Sequence, residues 1–294
     1  MDRVVQTLVD AVSVGGLYSL TALGIGLIFG VMRLINFAHG ELITATGYTL
    51  LALFGLPLPL MLFGGIFAAV LLALATERVA FRPLRSADPA TLLISSFAVS
   101  FFLQKTLILF VGSRPKGVDF LPSLGSQVEI LGARLQSLQI VTIIVSAVLL
   151  GALTWFLQGT RFGLQMRAAA EDFRVARMLG VRANRVIAIA FAMSGILAAA
   201  VSFLVVAQTG IVQPRMGLQL VIIAFVGTVI GGLGNLTGAA LGGFLVGAGT
   251  ILAQALLPPE LRVYREAFVF VAVTLILLFR PQGLIPARGL KDRI

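Results

Sequence analysis

The stretch "AVSVGGLYSLTALGIGLIFGVM" at residues 11 to 32 contains no charged residue and is long enough to cross a bilayer as one helix. A transmembrane helix needs about 20 mostly apolar residues. Similar runs recur along the chain, for example "LQIVTIIVSAVLLGALTWFL" at 138 to 157. Of the 294 residues, 59% are hydrophobic and only 12% are charged. The sequence therefore predicts an all-α, polytopic integral membrane protein, and its first run is too long for a cleaved signal peptide.

The hydrophobic runs predict about eight or nine transmembrane helices, some of them interrupted or re-entrant. We expect them to form a single transmembrane domain over residues 1–294. The predicted spans are 10–32, 37–55, 58–77, 91–111, 138–158, 186–208, 217–232, 236–257 and 265–280.

Arginine and lysine predict how the spans are oriented. With Arg33, three basic segments hold 14 of the 22 basic residues: Arg78, Arg82 and Arg85; six arginines from Arg161 to Arg185; and Arg280, Arg288, Lys291 and Arg293. Because cytoplasmic loops are enriched in these residues, we place all three segments inside, with the amino terminus outside and the carboxyl terminus inside. The net charge of +10 thus reports on topology and not on a nucleic-acid partner. An outer loop of polar residues precedes 138, and its end, "QVEILGARLQ", predicts a small hairpin.

Directly after the opening stretch, "RLINFAHGELI" (33–43) places the chain's only histidine among other polar residues. If Asn36 caps the following helix, His39 lies on the same face as Asn36 and Glu41 points elsewhere. Three interpretations stay open. In the first, Glu41 has a structural role and pairs with Arg33 or with backbone donors. In the second, Asn36, His39 and Glu41 line or gate a translocation pathway. In the third, Glu41 and His39 carry protons.

A second polar face lies in "LLISSFAVSFFLQKTLILF", where Ser96, Ser100 and Gln104 are four residues apart, with Lys105 beside them. Polar groups in a membrane helix usually face the bundle or a wet cavity. We include Ser96, Ser100 and Gln104 among the candidate pathway residues. The alternative for the serines is a hydrogen bond back to their own helix.

The stretch "VGTVIGGLGNLTGAALGGFLVGAG" (226–249) contains nine glycines in 24 residues. Glycine permits close helix packing, and it also interrupts helices. Asn235 is placed to cap a new helix start, which makes it a candidate pathway residue at a break. The sequence leaves packing and interruption both open.

The segment "TRFGLQMRAAAEDFRVARMLGVRANR" (160–185) predicts a short cytoplasmic helix over about 163–180. Phe162, Met166, Ala169, Phe173, Ala176 and Gly180 recur at steps of four and three, which puts them on one narrow stripe. An interfacial helix that binds anionic membrane lipid is one reading. The small alanines and the acids Glu171 and Asp172 favour docking into a groove of a partner protein.

The chemistry of an enzyme is missing from the sequence. There is no cysteine, and no G-x-x-x-x-G-K-[ST] loop occurs, since none of the three lysines follows a glycine. With one histidine and no acidic cluster, we expect no catalytic residues, no metal site and no cofactor.

Four elements, "INFAHGE", "MRAAAEDFRVARMLGV", "GIVQPRMGL" and "GGLGNLTGAALGG", occur in the order of LivH-type permeases. Because these elements are distributed along the whole chain, the chain resembles the permeases of branched-chain amino acid ABC importers over its entire length. The resemblance implies half of a translocation pathway in a bacterial inner membrane, with a second permease, two ATPase subunits and a periplasmic binding protein as partners. It also implies that the 163–180 segment, including Ala170, couples the permease to the ATPases. Related permeases for urea and short amides share the motifs, and a proton-coupled secondary transporter is the alternative of another class.

Overall fold

The computed structural model describes residues 2–85, 87–121, 126–130 and 133–285. The bounds of the helices are α1 Asp2–Met32, α2 His39–Ala52, α3 Leu58–Thr76, α4 Pro89–Val111, α5 Ser137–Gly159, α6 Arg161–Glu171, α7 Phe173–Met178, α8 Ala183–Thr209, α9 Met216–Gly231, α10 Leu236–Leu256 and α11 Arg265–Phe279. A π-helical turn, Glu77–Phe81, extends α3, and a 3₁₀ turn, Pro259–Tyr264, precedes α11. The all-α prediction is confirmed.

Each predicted span falls on a helix, but the helices differ in length. Within the described residues, six are long and apolar enough to cross a membrane: Val4–Met32, Leu58–Phe81, Pro89–Val111, Ser137–Gly159, Ala183–Thr209 and Leu236–Leu256. The remaining three of the nine predicted spans correspond to shorter helices: α2, α9 and α11 have 14, 16 and 15 residues. At about 1.5 Å per residue these helices are shorter than the hydrocarbon core, which is about 30 Å thick.

Local sequence signals explain where several helices begin and end. Asp88 caps α4, since its carboxylate accepts the Thr91 backbone N–H at 2.7 Å, and Pro89 follows at the first helical position. Hydrogen bonds from the Thr91 backbone and hydroxyl lower the pKa of the Asp88 carboxyl. At the other end, Gly112 (φ +92°) ends α4 and Gly210 (φ +64°) ends α8, in the left-handed region that favours glycine.

The chain divides into two compact units. The first unit contains the residues up to Leu23, Leu121–Leu150 and the chain from Ile223 on, and the second contains Gly24–Phe120 and Gly151–Ile222. In the first unit α10 packs on α11 around a core of Ile230, Val246, Val269 and Val273. In the second unit α2, α3 and α8 pack on one another, with α4 against α2 and α6 against α8. The single transmembrane domain over 1–294 stays a prediction.

In the described residues, four short strands lie between the helices. The predicted hairpin is confirmed: β2 (Gln127–Ile130) pairs antiparallel with β3 (Ala133–Gln136), and Gln127 lies opposite Gln136. In the second unit β1 (Lys116–Gly117) pairs antiparallel with β4 (Ile211–Val212). This pairing joins the chain just after α4 to the chain just after α8, so the carboxyl ends of these two helices lie at the same end of the second unit.

Candidate translocation and coupling sites

The junction between α1 and α2 has an irregular backbone. Arg33 follows α1 with φ +56°, the one positive φ of a non-glycine residue among those described. The Asn36 side chain accepts the Ala38 N–H at 3.1 Å, and the Asn36 carbonyl accepts the His39 N–H at 3.2 Å. The helix itself begins at His39, and Ala38 at its N-cap gives no side-chain bond. The prediction that Asn36 caps this helix is therefore wrong in detail, because Asn36 closes the turn that precedes the first helical residue.

His39 is fully buried in the second unit and joins three helices. The Ser194 hydroxyl on α8 donates to the Gly24 carbonyl on α1 at 3.0 Å, and it lies 2.9 Å from His39 Nδ1. The Ser194 hydroxyl has a single hydrogen, which it donates to the Gly24 carbonyl. The hydrogen between Ser194 and His39 must therefore come from the ring, so we assign the imidazole proton to Nδ1, which donates to the Ser194 oxygen. A Cβ on Gly24 would lie 2.4 Å from His39 Cε1, so only glycine leaves room for the ring. His39 thus ties α2 to α1 and α8.

Glu41 is also fully buried, and it faces a different helix. Its Oε1 accepts the Ser100 hydroxyl of α4 at 3.0 Å, and the stacked rings of Phe37 and Phe97 join the same two parts of the chain. The predicted pair of Glu41 with Arg33 does not form, because Arg33 Nη2 lies 3.4 Å from the Ala170 carbonyl instead. His39 and Glu41 therefore hold opposite sides of α2, as the helical spacing predicted.

The polar face of α4 is buried as a whole. Ser96, Ser100 and Gln104 are all buried, whereas Lys105 is exposed with its Nζ 4.9 Å from the centre of the Phe101 ring. Ser96 donates to the Leu93 carbonyl of its own helix at 2.8 Å. Each of the two alternatives for the serines therefore applies to one of them: Ser96 bonds back to its own helix, and Ser100 bonds across to Glu41.

Several buried polar atoms around α2 have no hydrogen-bond partner in the described part of the chain. Three of them belong to α2 itself: His39 Nε2, Glu41 Oε2 and the Tyr48 hydroxyl. A fourth, the Ser202 hydroxyl of α8, lies 3.4 Å from where a Cβ on Gly47 of α2 would be. The sequence reasoning missed Tyr48, Ser194 and Ser202. Tyr48 could have been found, since it follows Glu41 by seven residues and shares its helix face.

The start of α9 approaches the start of α2 within the second unit. The Gly217 N–H donates to the Thr44 hydroxyl at 3.1 Å, and a Cβ on Gly217 would lie 1.8 Å from the Gly40 carbonyl oxygen. A side chain at either glycine would separate the two backbones. This contact gives a physical reason for the last glycine of "GIVQPRMGL", which the sequence reasoning had noted only as part of a motif.

In the first unit the glycine-rich stretch both interrupts and packs. Residues 232–235 separate α9 from α10, with Gly232 (φ +112°) and Gly234 (φ +88°) in the left-handed region. Asn235 caps α10 as predicted, since its side chain accepts the Gly238 N–H at 3.0 Å. A Cβ on Gly231 would lie 1.9 Å from the Gly238 carbonyl oxygen, so α9 and α10 also touch. Both predicted roles of these glycines occur together.

A polar seam in the first unit was not predicted. The Gln139 amide of α5 donates to the Asp10 carboxylate of α1, and a Cβ on Gly16 would lie 3.0 Å from the Ser146 hydroxyl. Ser13, Thr142 and Ser146 are buried. Gln139, Thr142 and Ser146 follow one another at helical spacing, which was the available signal.

The predicted coupling helix is two helices. Thr160 caps α6 by accepting the Gly163 N–H at 3.0 Å, and the helix ends at Glu171. Asp172 is extended (φ −146°, ψ 106°), and its side chain accepts the Val175 N–H at 3.0 Å, which starts α7. Gly180 follows α7 with φ +87°. The difference from the single predicted helix arises because aspartate prefers capping to a helix interior.

The middle of the predicted stripe on this segment faces the chain itself, whereas Phe162 and Gly180 at its two ends are exposed. Met166, Ala169 and Ala176 are buried, and Gly163 lies against the end of α5, where a Cβ would be 2.3 Å from the Leu157 carbonyl oxygen. Phe162 is 46% exposed, and Ala170 is half-buried. Glu171, Asp172 and Gly180 are exposed, and the Phe173 side chain lies outside the described side chains. Other exposed apolar residues on the segment are Leu164, Val175, Met178 and Leu179.

The family model described as branched-chain amino acid transport system, permease component, matches residues 7–279. The chain belongs to this family. It is 34% identical, over 95% of both chains, to the high-affinity branched-chain amino acid transport system permease protein BraD of Pseudomonas aeruginosa. It is 33% identical to the permease protein LivH of Escherichia coli, over 95% of this chain and 94% of that one.

Among solved structures, the chain is similar to PsaBC of Streptococcus pneumoniae in complex with Fab, with a TM-score of 0.50 and 13% identity over 96% of this chain and 93% of that one. At this identity the likeness concerns the fold alone. The predicted family is confirmed, and this member of the permease family is an integral membrane protein of a transport system.

Proposed function

We propose that this permease forms half of the translocation pathway of an ATP-driven importer of branched-chain, hydrophobic amino acids in a bacterial inner membrane. One observation carries the proposal: identity of 33% to 34% over 95% of the chain to two permeases named for high-affinity branched-chain amino acid transport. A second permease, two ATPase subunits and a periplasmic binding protein complete the assembly. Since the permease has no phosphate-binding loop, the ATPase subunits supply the energy.

We assign the docking of the ATPase subunits to the segment from α6 to α7. Its buried residues Met166, Ala169 and Ala176 hold it on the permease. Its exposed apolar side chains Phe162, Val175, Met178 and Leu179, with Leu164, are free to insert into a partner, and the exposed acids Glu171 and Asp172 flank them. Exposed apolar groups of this kind mark protein interfaces. We therefore shift the docking surface from the buried residues of the predicted stripe to the exposed side chains of the segment, and of the stripe's apolar side chains whose exposure is described only Phe162 stays in the docking surface.

The translocation pathway is assigned to the polar side of α2 with α4. Glu41 Oε2, the Tyr48 hydroxyl and the Ser202 hydroxyl are buried with unused hydrogen-bonding capacity in the described structure. An amino acid in transit has two charged groups that need such partners. Asn36, His39, Glu41, Ser96, Ser100 and Gln104 are proposed to shape this pathway, and Asn235 marks the start of α10 beside a second helix interruption.

The proposal is tested by isolating the permease from its native membrane with mild detergent and identifying the subunits that come with it. We expect two ATPases and a second permease in fixed ratio, and a secreted binding protein that binds leucine, isoleucine or valine. A binding protein that takes urea or a short amide instead would transfer the assignment to that related class. Uptake that survives ATP depletion and stops with a protonophore would contradict the ATP-driven reading.

A further inference from the structure

A cavity of about 390 Å³ lies in the second unit, where the end of α1 meets α6, the joint at Asp172 and the start of α8. One wall is apolar and consists of Val31, Met32, Ala169 and Ile187. The side chains of Val31, Ala169 and Ile187 are buried, so this wall belongs to the packed unit and not to a mobile surface. The predicted topology places this end of the unit on the cytoplasmic side.

The rest of the lining has charges of both signs: Arg33, Arg85, Glu171 and Asp172. Arg85 already forms an ion pair with Glu77 and donates to Asn184 at 2.6 Å, but its Nε is buried without a partner among the described residues. Arg33 is exposed, with one long contact of 3.4 Å to the Ala170 carbonyl. Its guanidinium therefore keeps most of its five donors for another acceptor.

The acids face the same cavity. The Asp172 carboxylate accepts the Val175 N–H, and the side chains of Glu171 and Asp172 are both exposed. Both lie at the carboxyl end of α6, where the helix dipole favours a positive charge. A cationic group in the cavity can therefore bind near Glu171 and Asp172, and an anionic group can bind near Arg33 and the Arg85 Nε.

We propose that this cavity is a second, inhibitory site for a zwitterionic aliphatic amino acid that reaches it from the cytoplasm. The ligand's carboxylate binds Arg33, its ammonium binds Glu171 and Asp172, and its side chain lies on the wall of Val31 and Ile187. A simple anion would meet the two acids, and a simple cation would meet the two arginines, so only a ligand with both charges matches the lining.

A ligand in this place connects the end of α1 to the α6–α7 joint and holds the two together. Because α6 and α7 are the segment proposed to follow the ATPases, occupancy fixes that segment and slows transport when the imported amino acid has accumulated inside. This inference rests on the proposed function for the side of the membrane and for the class of ligand.

The test uses the complete transporter with its partner subunits, reconstituted in vesicles with ATP inside and the loaded binding protein outside. The probe is leucine in the lumen, and the initial rate of uptake and the rate of ATP hydrolysis are both measured. We expect luminal leucine to lower both rates by about fivefold or more, the lower end of typical allosteric coupling. Arg33→Gln abolishes this inhibition, and Arg82→Gln, which removes an exposed arginine outside the cavity lining and outside the α6–α7 segment, preserves it.

Two leucine analogues make the test independent of the variant. Isocaproate lacks the ammonium group and isoamylamine lacks the carboxylate, so neither should inhibit the unaltered transporter. A transporter that pumps with ATP but ignores luminal leucine overturns the inference and leaves the proposed function intact. Equal inhibition by either analogue, or persistent inhibition in a pumping Arg33→Gln transporter, also overturns it. Absence of ATP-driven uptake in the unaltered transporter contradicts the proposed function itself.

Discussion

Gly24 determines whether His39 can occupy its place in the second unit. Without a Cβ, the α1 backbone lies directly beside the imidazole, and Ser194 links the ring to the Gly24 carbonyl. The sequence singles out His39 because it is the only histidine, but it does not reveal that Ser194, 155 positions further along the chain, is the hydrogen-bond partner of the ring. Helical periodicity reports only on neighbours within a few turns.

Gly24→Ala should destabilise the permease by about 1–3 kcal/mol, since the new methyl group overlaps the buried imidazole and the core must shift. Gly30→Ala on the same helix is the matched control, because nothing lies within 4 Å of a Cβ at that position. We expect Gly30→Ala to be neutral or to stabilise by up to about 1 kcal/mol, because alanine favours the helix. Thermal unfolding of the purified variants measures both. Equal melting temperatures would contradict the account of His39.

Ser100→Ala should also destabilise the permease, by about 1–3 kcal/mol, since Glu41 Oε1 loses its donor and stays buried. Ser96→Ala, one helical turn away, is the control, because the Ser96 hydroxyl returns to the Leu93 carbonyl of its own helix. The two variants are compared by the same unfolding measurement. A loss of similar size in both would mean that the bond from Ser100 to Glu41 contributes nothing of its own.

At the scale of helices, sequence signals predicted what is decided locally. Asn235 caps α10, and the hairpin of β2 and β3 forms where the glycine and β-branched residues indicated. The break at Asp172 was missed, because alanine, arginine and glutamate on both sides are good helix formers and outweighed one capping residue. The sequence also did not predict which side of α6 packs against the rest of the permease, since this depends on contacts with α8 and with the end of α5.

Met178→Glu should weaken the association with the ATPase subunits by about tenfold or more, because a charge replaces an apolar side chain at the proposed docking surface. Met178 is 74% exposed, so the substitution leaves the packing of the permease unchanged. Val263→Glu is the control, because Val263 is an apolar residue of 85% exposure that the predicted topology places outside. Quantification of copurified ATPase tests this. Undiminished ATPase with Met178→Glu would remove α7 from the docking surface.

At the scale of the whole molecule, the distribution of arginine predicts which ends of the helices face the cytoplasm. In the second unit, Arg85 contacts Asn184 at the start of α8, and Arg33 contacts Ala170 at the end of α6. These contacts bring Arg33, Arg85 and the α6–α8 region to one end of the unit. The strands β1 and β4 lie at the other ends of α4 and α8. Sequence could predict this sidedness because the bias acts on composition and requires no knowledge of packing.

The absence of cysteine from the native sequence allows a direct test of topology. Leu179→Cys and Val263→Cys each introduce a single thiol at a position that is 80% and 85% exposed, respectively. With a membrane-impermeant maleimide on intact spheroplasts, we expect labelling of Val263→Cys alone, and labelling of Leu179→Cys only after permeabilisation. The reverse pattern would place α6 and α7 outside and exclude them from ATPase docking.

The central claim is that ATP on partner subunits moves a branched-chain amino acid through this permease. The most direct measurement is the uptake of radiolabelled leucine into vesicles that contain the isolated complex, with binding protein outside and either ATP or a non-hydrolysable analogue inside. The account predicts accumulation above the external concentration with ATP and none with the analogue. Accumulation driven by a proton gradient without ATP, or mere equilibration in both cases, would contradict it.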